Sequence, residues 1–227
     1  MGWILPHANS TFAPGIDRLY YVILIITGIA FVLVEVGLIW FSIAYRARPG
    51  GKAHYTHGNA TAEIIWTAIP AVTVVALGIA SAGLWNHIKG RNSVPADAIP
   101  YGVKAKQFEW NVTYAGADGK LGTADDFIIR NQLHVPVNKP ILVNLESEDA
   151  IHSFFVPAFR LKQDAVPGMK IRVWFQATEA VTQELACAEL CGLGHYKMRA
   201  IVTVHTQEDY DKWLADQIAQ HQTVASR

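Results

Sequence analysis

Cys187-Ala188-Glu189-Leu190-Cys191-Gly192-Leu193-Gly194-His195-Tyr196-Lys197-Met198 gathers two thiols, an imidazole and a thioether into twelve residues. These are soft or borderline ligands, which suit copper and disfavour magnesium or calcium. The spacing Cys-x3-Cys-x3-His-x2-Met has no second Cys/His pair of the kind zinc fingers need. Nor is there a Cys-x-x-Cys-His for a c-type haem. A blue-copper site takes one Cys, two His and a weak axial Met. This loop supplies the Cys, one His and the Met, then adds a second Cys. The other His must come from elsewhere, and His152 is the best candidate. With two thiolates, each sulfur can touch two metals, so a dinuclear centre becomes available. One His then terminates each metal, and the Met sulfur and a backbone carbonyl fill what remains. The competing reading is a disulfide between the chain's two Cys. Such a bridge closes a very small loop, where strain is high and the entropic gain least. It also leaves His195 and Met198 without a role.

Around this loop the pattern is that of short strands. Phe108, Trp110, Val112 and Tyr114 alternate with Glu109, Asn111 and Thr113, the signature of a half-buried strand. Residues 116–126 carry Asp118, Asp125 and Asp126 among turn-forming glycines. They lack the ligand spacing and closing Glu of a calcium loop, so they read as a long hairpin connection. Further strands are expected at 126–133, 141–146, 170–176 and 198–204, the last with Met198, Ala200, Val202 and Val204 on one face. Together they predict an all-β cupredoxin-like barrel over 101–205, with the ligand loop between its last two strands. Thr206 opens a C-terminal helix and tail over 206–227, with Asp209 in capping-box position and Tyr210, Trp213, Leu214 and Ile218 on one apolar face.

The N-terminal part is different. Of 227 residues, 51% are hydrophobic and 17% charged, with formal net charge zero. Neutrality argues against a nucleic-acid partner, which wants a basic face. The apolar excess sits in the first 85 residues. Residues 1–18 form a mixed lead-in, without the basic start and long apolar run of a signal peptide. Residues 19–45 and 63–85 each suffice to cross a bilayer, which takes about 20 apolar residues. The connector between them holds Arg46, Arg48 and Lys52, which places it on the cytoplasmic side. The N-terminus and the β domain then lie on the outer, periplasmic face. Pro70 is expected to kink the second span or to sit near its start. Glu35 falls inside the first span, where a carboxylate is either a functional group or, the favoured reading, a structural one that is protonated or paired with a partner helix. Glu63 opens the second span, where a negative charge complements the helix dipole. Residues 86–100, with Gly90, Pro95 and Pro100, read as a linker.

Three stretches taken together resemble subunit II of the haem-copper cytochrome c oxidases, the subunit that carries the CuA centre. They are Cys-x-Glu-x-Cys-x-x-x-His-x-x-Met, Ser-Glu-Asp-Ala-Ile-His over 147–152, and Leu-Lys-Gln-Asp-Ala-Val-Pro-Gly over 161–168. The resemblance covers nearly the whole chain. It implies two copper ions, with Cys187 and Cys191 bridging, His152 and His195 terminal, Met198 bound through sulfur and Glu189 through its backbone carbonyl. It also implies that the Glu189 side chain helps hold magnesium at the border with subunit I. Haem and the CuB ion belong to that partner. Glu63-Ile64-Ile65-Trp66-Thr67 resembles the family's Glu-x-Ile-Trp-Thr, whose Glu stands at the mouth of a proton-uptake pathway. Lys162 and Asp164 match a segment at the subunit I interface. Glu148 and Asp149 match an acidic pair near the donor-docking face, or else form a solvated loop. The implied activity is cytochrome c oxidase as a multi-subunit, proton-pumping complex: electrons pass from cytochrome c through copper to haem in subunit I, where oxygen is reduced. The implied location is a bacterial inner membrane or, second, a mitochondrial one.

One departure stands out. The family often has Gln-Trp-x-Trp where this chain has Gln107-Phe108-Glu109-Trp110. The first Trp is the expected electron-entry group, so Phe108 and Trp110 are the entry candidates and the donor is open. Three other readings fit part of the chain. The copper domain of nitrous oxide reductase lacks the two spans, and a quinol oxidase subunit II lacks the copper ligands. A membrane-tethered CuA or cupredoxin carrier serving another respiratory complex fits both features.

Overall fold

The computed structural model describes residues 4–52 and 54–225. The first three residues of the lead-in and the last two of the tail lie outside the described residues. Two units are distinct: a helical unit over 15–86, and a β unit made of the N-terminal segment through Pro14 and everything from His87 onward.

The helical unit consists of α1 (Ala13–Ala44) and α2 (Ala60–Lys89), with 32 and 30 residues. At about 1.5 Å per residue each exceeds the ~30 Å hydrocarbon core of a bilayer. Ile25, Leu33 and Ile43 of α1 and Val72, Val74 and Ile79 of α2 face outward, as lipid-facing side chains must. Polar hydroxyls in the spans bond back to the preceding turn: Thr27 to Ile23 O, Thr73 to Ile69 O and Ser81 to Leu77 O, at 2.7–2.8 Å. α1 starts at Ala13, ahead of the Leu19 expected from hydropathy, because the Ser10 hydroxyl accepts from Ala13 N at 3.2 Å and Pro14 suits a first turn. Asn59 Oδ1 caps α2 through Ala62 N at 3.1 Å. α2 runs unbroken through Pro70 and on to Lys89, so the connecting segment is shorter than the expected 86–100.

Among the described residues the β unit has ten strands. They are β1 (Ile99–Lys106), β2 (Glu109–Tyr114), β3 (Phe127–Arg130), β4 (Gln132–Pro136), β5 (Pro140–Ser147), β6 (His152–Val156), β7 (Leu161–Ala165), β8 (Ile171–Gln176), β9 (Thr182–Cys187) and β10 (Arg199–His205). One sheet has the order β3-β2-β1-β5-β8, the other β4-β10-β9-β6-β7. Most neighbours are antiparallel, but β1 pairs with β5 and β4 with β10 in parallel. Inward residues alternate along β1, at Tyr101, Val103 and Ala105, and along β5, at Ile141, Val143 and Leu145, whereas β6 and β8 bury consecutive residues. The core between the sheets holds Trp110, Leu133, Phe154, Phe175, Leu185 and Val202, all fully buried.

The single strand expected over 126–133 is two strands in different sheets. Asn131 separates them in the left-handed region, with φ 58°. Its side-chain oxygen accepts from Trp110 N at 2.8 Å and its own N–H donates to Trp110 O at 2.7 Å. Asn tolerates that conformation and replaces the lost ladder bonds. β1, β6, β7 and β9 were not expected as strands.

After β10, Thr206 caps α3 (Gln207–Ala225), accepting from Asp209 N at 3.2 Å and donating to the Asp209 carboxylate at 2.7 Å. Trp213 stacks on His134 at 4.2 Å between centroids and on His205 at 6.0 Å. The Tyr210 hydroxyl meets that of Tyr101 at 2.7 Å in the interior.

Candidate metal centre

Cys187 closes β9 and Met198 stands directly before β10, so both ends of the intervening loop are fixed by neighbouring strands. Cys187 N donates to Met198 O at 3.1 Å, which pinches the loop shut. His152 opens β6, the strand paired with β9. His195 starts a single 3-10 turn, His195–Lys197.

This framework brings the sequence-predicted donors together. Cys187 Sγ and Cys191 Sγ stand 3.8 Å apart as free thiols. His152 Nδ1 lies 3.9 Å from Cys187 Sγ and 3.2 Å from Met198 Sδ. His195 Nδ1 lies 3.7 Å from Cys191 Sγ, and Met198 Sδ lies 3.8 Å from the same sulfur. The carbonyl of Glu189 is 3.3 Å from Cys187 Sγ. The donor atoms of His152, Cys187 and Cys191 all fall within 4.8 Å of one another. His152, Cys191 and Met198 are buried, and Cys187 is 9% exposed. His195 is half-buried and reaches the surface. Burial, then the neighbouring Cys187 thiol, push the Cys191 thiol up to about 11.

Asp149 has a role that spacing did not reveal. Its Oδ1 accepts from His152 Nε2 at 2.8 Å and from Ala150 N at 2.6 Å, and its Oδ2 accepts from Gln107 N at 2.7 Å. Burial raises its pKa, but these three hydrogen bonds outweigh burial and hold the carboxyl below the usual range. Asp149 thus belongs to the cluster through His152. Glu148 beside it is exposed.

The two aromatic entry candidates part company. Phe108 lies half-buried over Gly192 and Gly194, where a side chain at either glycine would press on its ring. Gln107 Nε2 reaches the Cys191 carbonyl at 2.5 Å, fastening the same turn to the loop. Trp110 is fully buried, with its ring edge-on to Phe154 and 6.2 Å from the His152 ring. Elsewhere, Asp164 accepts from the Ser153 hydroxyl at 2.7 Å, while Lys162 and the Glu189 side chain are exposed. Glu63 sits in the first turn of α2 and Glu35 is exposed on α1; neither belongs to the β unit.

The donor chemistry fits a soft metal. Two thiols, two imidazole Nδ1 atoms and a thioether converge in a largely buried cluster, with a carboxylate behind one imidazole. Fold and site together define a membrane-anchored β-sandwich with a sulfur- and imidazole-rich centre in a loop between two strands. Residues 103–205 match the family model "Cytochrome C oxidase subunit II, periplasmic domain", and residues 1–84 match the model of its transmembrane domain. Cytochrome c oxidase subunit 2 of Thermostichus vulcanus is 34% identical, over 92% of this chain and 77% of that one. Alternative cytochrome c oxidase subunit 2 of Bradyrhizobium diazoefficiens is also 34% identical, over 85% and 76%. A solved structure of the periplasmic domain of subunit II of cytochrome oxidase from Bradyrhizobium japonicum is 30% identical, with TM-score 0.46, over 54% of this chain and 95% of that one. The chain belongs to the cytochrome c oxidase subunit II family.

Proposed function

We propose that this chain is the electron-entry subunit of a haem-copper terminal oxidase, holding a dinuclear copper centre. The observation that carries the reading is the convergence of two free thiols, two Nδ1 atoms and one thioether at 3.2–3.9 Å spacings. Cys187 and Cys191 would bridge, His152 and His195 would terminate, and Met198 Sδ and the Glu189 carbonyl would complete the set. When bound, the copper pair supplies a one-electron redox centre.

The chain's own residues do the rest. Strands β6, β9 and β10 fix the donors, so little rearrangement accompanies a change of charge. Asp149 holds the His152 proton on Nε2 and leaves the Nδ1 lone pair for the sulfur cluster. Buried Met198 and Cys191 keep water away. Leu190, Leu193 and Tyr196 are 78%, 98% and 85% exposed on the loop itself and offer a contact face for a c-type cytochrome donor. The Phe108 ring, lying on the same loop, is the aromatic route inward.

The further assignments are carried over from the family as parts of the same proposal. Subunit I receives the electrons and reduces oxygen with its haem and CuB, coupled to proton pumping. Glu189 helps hold magnesium at that border, and Glu63 serves proton uptake. The β unit faces the periplasm of a bacterial inner membrane.

Electron paramagnetic resonance with metal analysis on the detergent-solubilised chain tests this. Two coppers per chain sharing one unpaired spin are expected. A single cupric ion, or a Cys187–Cys191 disulfide in the active complex, removes the reading. Co-purification with a haem-bearing partner separates an oxidase subunit from a free-standing carrier.

A further inference from the structure

Beside the end of α2 the β unit holds a cavity of about 130 Å³ lined by Lys89, Arg91, Ser93, Arg172 and Trp174, among others. Among the described residues no carboxylate lines it. The Lys89 ammonium donates to the neutral Gln163 Oε1 at 2.6 Å. Arg91 and Arg172 are exposed and join no ion pair among the described residues. Three cations therefore share one small concavity with only neutral partners. Gathered like charges repel, and an anion among them converts that repulsion into charge-assisted hydrogen bonds.

The walls are fixed before any ligand arrives. Trp174 Nε1 donates to Ile88 O at 2.9 Å and lies 3.3 Å from Ser93 Oγ. Ser93 Oγ donates to the same Ile88 carbonyl at 3.0 Å. Phe12 packs edge-on against Trp174 with centroids 4.5 Å apart. Lys89 is the last residue of α2, just past the apolar run that ends at Trp85. That position along a membrane span is where lipid headgroups lie, and indole rings favour it. A guanidinium fork matches phosphate oxygens, and a nearby ammonium adds a point charge.

We propose that this cavity binds the phosphate of an anionic lipid headgroup. The inference rests on α2 being a membrane span and is independent of the copper assignment.

The full-length chain, purified in mild detergent, is mixed with phosphatidylglycerol, phosphatidylcholine or inorganic phosphate, and bound species are counted by native mass spectrometry. Phosphatidylglycerol is expected to be retained in preference to phosphatidylcholine. Arg91→Gln with Arg172→Gln should weaken that retention about 25-fold, roughly fivefold per charge removed. Lys139→Gln, an exposed cation outside the cavity, should leave it unchanged. Equal retention by the double variant and the wild type overturns the proposal, as does equal retention of the two lipids. Displacement of phosphatidylglycerol by millimolar inorganic phosphate overturns it too, in favour of a free-anion site. Should the double variant lose its near-ultraviolet circular dichroism, Arg91→Gln alone, on an exposed connecting residue, must still give the fivefold loss.

Discussion

Nε2 of the fully buried His152 donates to the Asp149 carboxylate at 2.8 Å, while Nδ1 of the same ring faces Met198 Sδ and Cys187 Sγ. A carboxylate only accepts, so the bond fixes the tautomer as well as the ring plane. The second Asp149 oxygen holds Gln107 N, and Gln107 in turn holds the Cys191 carbonyl. One carboxylate thus ties an imidazole, the Phe108 turn and the ligand loop into a single network.

Replacing Asp149 with Ala should lower copper affinity about 10–100-fold, the usual consequence of losing a partner behind a metal-binding His. Asp149→Asn, which still offers Nε2 an acceptor, should restore part of the loss. The check is competition for copper against a calibrated chelator, read beside the hyperfine pattern. Unchanged affinity in Asp149→Ala would reduce the contact to a surface hydrogen bond.

Gly194 gives a second test of this network. A Cβ there would overlap the Phe108 ring, so Gly194→Ala must displace the ring or the loop. Overpacking of this kind costs about 1–3 kcal/mol. Phe108→Ala in the same chain should recover about 1 kcal/mol or more of it, because the clash is then gone. Chemical denaturation of the wild type, both single variants and the double variant closes the cycle. Costs that simply add, within ~0.5 kcal/mol, would show that the ring is not what Gly194 accommodates.

The 187–198 loop was legible as a candidate donor cluster because its information is local: four donor side chains at fixed offsets. β2 was legible through strict alternation, and β5, β8 and β10 through short apolar stretches rich in Val and Ile. What escaped is set by distant partners. β1 does alternate, with Tyr101, Val103 and Ala105 inward, but Gly102 and the small Ala105 leave a slight signal, and pairing with β2 and β5 on either side makes it a strand. The break at Asn131 depends on Trp110, far off in the chain. Asp149 read equally well as docking charge or solvated loop, because its role appears only when Gln107 and His152 meet around it. His134 and His205 carry no local signal and become a stacked pair only because β4 and β10 run side by side.

That pair predicts acid lability. His134 Nδ1 lies 2.8 Å from His205 Nε2. Burial, then the neighbouring His205, bring His134 down to about 4. Burial also lowers His205, although the nearby Asp209 opposes it. Both folded-state values lie below the unfolded one, so the unfolded chain takes up protons first as pH falls. The stabilisation is complete above the unfolded value of roughly 6.5 and drains away as pH falls through the folded value near 4. The urea midpoint should therefore decline from pH 7 to 4.5, with Trp213 fluorescence reporting release of α3. His134→Phe keeps a ring against Trp213 but cannot titrate, and it should flatten the decline. Parallel declines in the two proteins would assign the lability to other groups.

Met198 separates packing from ligation. It is 2% exposed, and its sulfur stands 3.2 Å from His152 Nδ1 and 3.8 Å from Cys191 Sγ. Leu has nearly the same volume, so Met198→Leu should cost less than about 1.5 kcal/mol of fold stability. It removes a soft donor, however, and a weak axial sulfur is one of the levers that set a copper potential. A thioether stabilises the more positive, oxidised state by donation; a hydrocarbon cannot. The reduction potential of the copper-loaded variant should therefore rise, while copper stoichiometry and circular dichroism stay as in the wild type. Voltammetry of the two loaded proteins decides the matter. An unshifted potential with copper still bound would mean that Met198 packs against the centre without donating to it.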